Sequence, residues 1–183
     1  MPRLMIVVAS VRPGRVGLPI AQWAHSRLAN RDEFDIDFVD LAELALPMMD
    51  EPNHPRLRNY VHEHTKAWSA RVEAADAFVF VTPEYNHSYS GTLKNALDFL
   101  SQEWWRKPVG FVSYGGISAG SRGVVALEPV LVALGLVKTG AAVEISFPSV
   151  TDGVFISSDK HSAILDKMAG ELAALSEALR PLR

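Results

Sequence analysis

The stretch Leu4-Met5-Ile6-Val7-Val8-Ala9-Ser10-Val11-Arg12-Pro13-Gly14 decides the fold class. Its six leading apolar residues leave no polar face, which suits a strand covered on both sides, at the centre of a parallel sheet. The run stops at a polar turn, and Ile20, Trp23, Ala24 and Leu28 then recur at helical spacing. The same alternation continues down the chain. Phe34-Asp35-Ile36-Asp37-Phe38-Val39 has period two, as a lateral strand does, and Ala77-Phe78-Val79-Phe80-Val81 reads as a third strand. Leu93, Ala96, Leu97 and Leu100 follow at helical spacing, then a fourth strand, Val109-Gly110-Phe111-Val112-Ser113. Val124, Leu127, Leu131 and Leu134 stripe the next helix, where Pro129 predicts a kink and Gly135 a C-terminal cap. Leu136-Val137 and Ala141-Ala142-Val143-Glu144-Ile145 form a fifth strand interrupted by Lys138-Thr139-Gly140. Ile164, Leu165, Met168, Leu172, Leu175 and Leu179 define a closing amphipathic helix. Apolar strands alternating with helices predict an α/β fold with a doubly wound parallel sheet. Ligands of such sheets bind beyond the carboxyl ends of the strands, which directs attention to loops 10–17, 82–91 and 113–120.

A chain of 183 residues, 48% hydrophobic and 21% charged, reads as one domain over residues 1–183. That length buries roughly 70% of the unfolded surface. Lys+Arg 18 against Asp+Glu 21 leaves a well-mixed net charge of −3, which offers no footprint for nucleic acid. The absence of cysteine excludes a disulfide frame, a thiolate zinc site and a cysteine nucleophile. The apolar run after Met1 is too short for a signal peptide, and none approaches the ~18 residues of a membrane span, so a cytoplasmic location is expected. The six histidines form no metal set. His62 and His64 are two apart, which on a helix points them to different sides. Ser10, His87 and Asp98 are not read as a hydrolase triad, because Ser10 does not stand in a G-x-S-x-G elbow.

Ser10-Val11-Arg12-Pro13-Gly14-Arg15-Val16-Gly17 leads from the first strand into a helix. A helix N-terminus offers unpaired N–H groups and a positive dipole end. One hydroxyl and two guanidinium groups can surround a phosphate dianion. A dinucleotide site needs G-x-G-x-x-G, which is absent although Asp40 mimics its ribose-binding acid, and no P-loop exists. The bland reading is a polar turn whose arginines face solvent. Thr82-Pro83-Glu84-Tyr85-Asn86-His87-Ser88-Tyr89-Ser90-Gly91 can offer backbone N–H groups and an aromatic wall to a planar ring, with a helix cap at Ser88 or Ser90. In Ser113-Tyr114-Gly115-Gly116-Ile117-Ser118-Ala119-Gly120 the paired glycines permit close approach of a ligand, or simply turn the chain.

Together the three loops resemble those of the NADPH-dependent FMN reductase family of flavodoxin-like proteins, which includes quinone, azo-dye and chromate reductases. Gly91-Thr92-Leu93-Lys94-Asn95-Ala96-Leu97-Asp98 is similar to the helix that follows the ring loop in this family, and the likeness spans roughly residues 4–146. The resemblance implies a five-stranded sheet in the order 2-1-3-4-5 with helices on both faces. It implies that Ser10, Arg12, Arg15, Val16 and Gly17 hold the FMN phosphate. Pro83, Glu84, Tyr85, Asn86, Ser113, Gly115 and Gly116 would then meet the isoalloxazine, mainly through backbone atoms. The commoner phosphate loop has Ser and Asn where Arg15 and Gly17 stand here. NADPH or NADH would be the cosubstrate, with Arg122 a candidate for the 2′-phosphate, and a small planar quinone, azo compound, flavin or metal oxyanion the acceptor. A flavodoxin-type one-electron carrier is the alternative. Such a carrier covers both ring faces and displays an acidic patch, whereas this chain has modest residues after Gly116 and no acidic run. The apolar segment Leu44-Ala45-Leu46-Pro47-Met48-Met49 and Trp104-Trp105 suggest a homodimer or homotetramer, and the resemblance, whose members commonly associate through the helices beside the flavin, implies residues 93–105 at the interface. Glu84 is read as structural rather than as a general acid, because hydride transfer to a flavin needs none.

Overall fold

In the computed structural model, which describes residues 1–183, β1 (Arg3–Val8) lies inside a parallel sheet between β2 (Asp35–Asp40) and β3 (Ala77–Pro83). The sheet continues with β4 (Pro108–Gly115), whose far side is shared by two short pieces, β5 (Val137–Lys138) and β6 (Val143–Ser146). The order is therefore β2-β1-β3-β4 with β5 and β6 together in the fifth position, as expected from the interruption at 138–140. Every pairing in this sheet is parallel.

Strand parity distributes the apolar side chains. Leu4, Ile6 and Val8 face one layer, where they meet Ile20, Ala24 and Leu28 of α1 (Gly17–Ala29) and Leu165, Met168 and Leu172 of α6 (Asp159–Leu179). Met5, Val7 and Ala9 face the other layer. There they meet α3 (Glu63–Ala74), α4 (Gly91–Asp98) and α5 (Ser121–Ala133) through Trp68, Leu93, Leu97, Val124 and Leu127. Because successive side chains in a strand point to opposite faces, a strand apolar at every position serves both layers. α6 fits closely: a Cβ on Gly110 of β4 would stand 2.5 Å from Met168 Sδ.

The remaining elements are short. α2 (Leu41–Leu44) follows β2 directly, and β7 (Val150–Thr151) and β8 (Val154–Phe155) form an antiparallel hairpin before α6. Pro129 lies on the exposed face of α5, and the helix runs through it to Ala133. Gly135 follows with φ +69, the left-handed conformation expected just past a helix end. The adjacent indoles separate: Trp104 is buried and donates to the Leu97 carbonyl (3.1 Å), while Trp105 is 54% exposed. His62 precedes α3 instead of lying within it. Its ring therefore stacks on His64 at 5.2 Å rather than pointing away, and His64 Nε2 lies 2.9 Å from Asp50 Oδ1.

Candidate functional site: a cleft at the carboxyl ends of β1, β3 and β4

The chain leaves β1 through Ser10 and enters α1 at Gly17 with no side chain capping the helix. Val16 occupies the cap position, where it has nothing to offer, and no acidic residue stands in the first turn. The first N–H groups of α1 therefore keep their orphan donors and their positive dipole end. α4 and α6 differ, since Ser90 and Ser158 accept from their first-turn N–H groups. Ser10 is buried; its Oγ lies 2.7 Å from Tyr85 Oη and accepts a long bond from the Arg12 N–H (3.4 Å). Arg12 is exposed and lines the adjoining cavity. Arg15 turns the other way. Its guanidinium pairs with Asp40, which also caps α2 by accepting from the Ala42 N–H (3.0 Å), while Arg15 Nε is buried without a partner.

The loop after β3 is shaped by a tight turn. The Tyr85 N–H donates to the Ser88 carbonyl (2.9 Å) and the Ser88 N–H to the Tyr85 carbonyl (3.0 Å), with Asn86 and His87 both at positive φ. A two-residue turn with both centres left-handed is the type that asparagine tolerates best, which accounts for Asn86. Pro83 is buried, and the Glu84 N–H donates to the Tyr114 carbonyl (3.1 Å), which ties this loop to the one after β4. The Glu84 carboxylate accepts from Ser118 Oγ (2.6 Å) and Arg122 Nε (2.7 Å). Burial pushes its pKa up, and those two partners more than offset this, so the group stays below the ordinary carboxylate range. Glu84 is thus a structural tie, and Arg122 is committed to it. Ser113 is buried and donates to the Ala119 carbonyl (2.9 Å), closing the 113–120 loop. In that loop Gly120 is the crowded position: φ is +85, and a Cβ would stand 2.6 Å from the Tyr114 nitrogen. Gly116 has no such neighbour, since a Cβ there would come no nearer than 3.7 Å, to Phe147 Cε1, so nothing in the chain itself requires glycine there.

Between the phosphate-type loop and α4 lies a cavity of about 580 Å³ lined by Arg12, Met48, Tyr85 and Thr92 among others. It shares Val11, Leu46, Thr92 and Asn95 with a neighbouring one of about 340 Å³. Both fall in the range of small-molecule sites. One wall is the irregular segment after α2, held by Asn95, whose amide donates to the Pro47 carbonyl (2.7 Å) and accepts from the Met49 N–H (3.0 Å). Asn95 and Met48 were not singled out as site residues from the sequence, because only the fold brings 46–49 onto α4. Ser90, rather than Ser88, caps α4 and also donates to the Ala9 carbonyl (3.1 Å), which joins α4 to the end of β1.

The sequence model described as NADPH-dependent FMN reductase matches residues 2–148. The chain belongs to that family. An NAD(P)H-dependent FMN reductase of Schizosaccharomyces pombe is 45% identical over 121 residues, covering 65% of this chain and 60% of that protein. An FMN-dependent NADPH-azoreductase of Staphylococcus saprophyticus is 32% identical over 126 residues, covering 68% of this chain and 63% of that protein. The matches thus span less than two thirds of these relatives. Among solved structures, a flavoenzyme NAD(P)H:(acceptor) oxidoreductase from Paracoccus denitrificans superposes with a TM-score of 0.77 at 21% identity, covering 97% of this chain and 98% of that one. A Streptococcus pneumonia TIGR4 flavodoxin superposes with a TM-score of 0.59 at 17% identity, covering 93% and 97%. The fold is flavodoxin-like, and proteins described as an oxidoreductase and as a flavodoxin both share it.

The residues of the cleft fit FMN. An uncapped helix N-terminus, the hydroxyl of Ser10 and the free guanidinium of Arg12 are a donor set for a dianion. The buried and unpartnered Tyr114 Oη and Arg15 Nε lie at the same end. No helix of the chain is long and apolar enough to cross a membrane, and no group of three His, Cys, Asp or Glu side chains is placed to hold a metal ion.

Proposed function

We propose that the protein is an NAD(P)H-dependent FMN-containing reductase that passes two electrons to a small planar acceptor, a quinone, azo compound, flavin or metal oxyanion. The observation that carries this reading is the cleft itself, with an anion-binding helix end at β1 facing two loops that are tied together after β3 and β4. Ser10, Arg12, Arg15, Val16 and Gly17 form the phosphate end. In this reading Arg15 acts at a distance, since Asp40 holds its guanidinium. Pro83, Glu84, Tyr85, Asn86, Ser113, Gly115 and Gly116 form the ring end, offering backbone donors held in place by the Glu84–Ser118–Arg122 cluster. When bound, FMN supplies the chemistry of accepting a hydride from a nicotinamide and delivering it to an acceptor. The chain's part is to bind and orient the cofactor and to leave room beside it. Past Gly116 the side chain of Ile117 is 89% exposed and Tyr114 is buried, so no aromatic residue of this loop covers the space above the glycines, although the exposed Phe147 ring stands beside them, 3.7 Å from the place of a Gly116 Cβ. An open face suits nicotinamide and acceptor binding in turn at one place, with ping-pong kinetics. A carrier reading would require a covered ring.

Residues 1–183 act in this reading as one FMN-binding unit, in the cytoplasm and as a homodimer or homotetramer. Met48 (81% exposed) and Trp105 support association. Leu93, Ala96, Leu97 and Leu100 of the favoured 93–105 stretch are buried in the core instead. Anaerobic stopped-flow mixing with NADPH tests the enzyme reading: the flavin absorbance should bleach within the dead time or shortly after. Flavin that stays oxidised with both NADPH and NADH overturns it in favour of the carrier.

A further inference from the structure

Tyr114 stands near the end of β4, and its hydroxyl is buried with no hydrogen-bond partner. The residue is 5% exposed. A buried hydroxyl left unpaired is unfavourable to folding, and native proteins rarely keep one without a use. The oxygen is aimed at the first residue of α1: a Cβ on Gly17 would stand 2.2 Å from it. It therefore sits at the N-terminal end of α1, which no side chain caps. Ser10, Tyr85 and Arg15 are its polar neighbours. Ser10 Oγ, engaged with Tyr85 Oη at 2.7 Å, is close enough to lower the phenol's pKa but meets no hydrogen-bond geometry with the Tyr114 hydroxyl. Burial, with Tyr85 beside it, pushes the Tyr114 phenol further above its ordinary pKa, so it stays neutral with a proton to donate.

We propose that the Tyr114 hydroxyl is a phosphate ligand, donating from the sheet side to the anion held at the N-terminus of α1. This rests on the FMN reading above and adds a residue to it. Ser10 and Arg12 approach from the loop, and the helix N–H groups from the axis of α1. Tyr114 supplies a donor from beneath, where no solvent-facing side chain reaches. Gly17 belongs to the same device, because any larger residue would occupy the space of the phenol oxygen.

The test is Tyr114→Phe, which keeps the ring and removes only the oxygen. Apo-protein is titrated with FMN and with riboflavin, which lacks the phosphate, and binding is followed by quenching of flavin fluorescence. The unfolding temperature of each apo-protein is also recorded. FMN affinity should fall about ten- to a hundredfold, the range for a lost hydrogen bond to a charged group. Riboflavin affinity should stay within about twofold, and the apo-variant should unfold at the same or a higher temperature, since an unsatisfied group has been removed. FMN affinity within about twofold of the parent overturns the proposal. Equal losses for both flavins also overturn it and assign Tyr114 to the shape of the cleft. A parent protein that binds neither flavin overturns the FMN reading itself, and the proposal with it.

Discussion

The two ends of the cleft treat their polar groups in opposite ways. At the α1 end the helix is uncapped, Tyr114 Oη and Arg15 Nε are buried without partners, and the Arg12 side chain is exposed. At the other end Glu84, Ser118 and Arg122 satisfy one another, Ser113 is bonded to Ala119, and the Tyr85–Ser88 turn closes its own hydrogen bonds. Unpaired buried donors are costly in an empty site and are recovered only when an acceptor arrives. A satisfied scaffold changes little on binding and presents a fixed backbone. The first end is therefore built to hold a charge, and the second to hold a shape.

The largest expected effect follows from crowding the charged end. Gly17→Ala places a Cβ within the space of Tyr114 Oη, so the Tyr114 ring or the start of α1 must shift. Overpacking of this kind destabilises by about 1–3 kcal/mol, and FMN affinity should fall by more than about a hundredfold because every helix donor moves. Chemical denaturation and fluorescence titration give the two numbers. Arg12→Ala should come next, with FMN affinity down about ten- to a hundredfold and riboflavin unaffected. An equal loss for both flavins would move Arg12 out of the phosphate end. At the shape end, Gly116→Leu should slow flavin reduction by NADPH about tenfold or more while FMN affinity changes less than about threefold. The reverse pattern would mean that Gly116 serves the cofactor rather than the incoming nicotinamide.

The smallest effect belongs to Glu84. Its pKa is lowered in the folded protein, so its contribution is fully present above the ordinary carboxylate value and is lost as the pH falls through the lowered one. Glu84→Gln should destabilise by about 1 kcal/mol at neutral pH, discounted because Arg122 is half exposed. The difference between parent and variant should vanish on acidification below the carboxylate range, as read from denaturation curves across pH. A difference that persists in acid would remove the ion pair from the explanation.

Periodicity in the sequence was sufficient for the strands and their two covering layers, while the strand order followed from the family resemblance. Apolar runs of both parities in β1, β3 and β4 required two covering layers, and the break at Lys138-Thr139-Gly140 appeared as the split between β5 and β6. Parity also places Tyr114: Val112 and Tyr114 are two apart, so Tyr114 faces the same layer as α1. The cluster of Glu84 with Arg122, and the clamp of Asn95 on residues 47–49, were not legible. Both join loop or irregular segments whose spacing has no period, and only the fold sets their distance. Arg15 shows the limit most clearly, because its residue type suits a phosphate while its geometry gives the charge to Asp40.

The most direct measurement is the ratio of FMN to riboflavin affinity for the unaltered apo-protein, since the two ligands share the ring and differ in the phosphate. A charge end with several donors predicts a ratio of at least about a hundredfold in favour of FMN, falling as salt is raised. Equal affinities, or a preference for riboflavin, would contradict the division of the cleft into a charge end and a shape end.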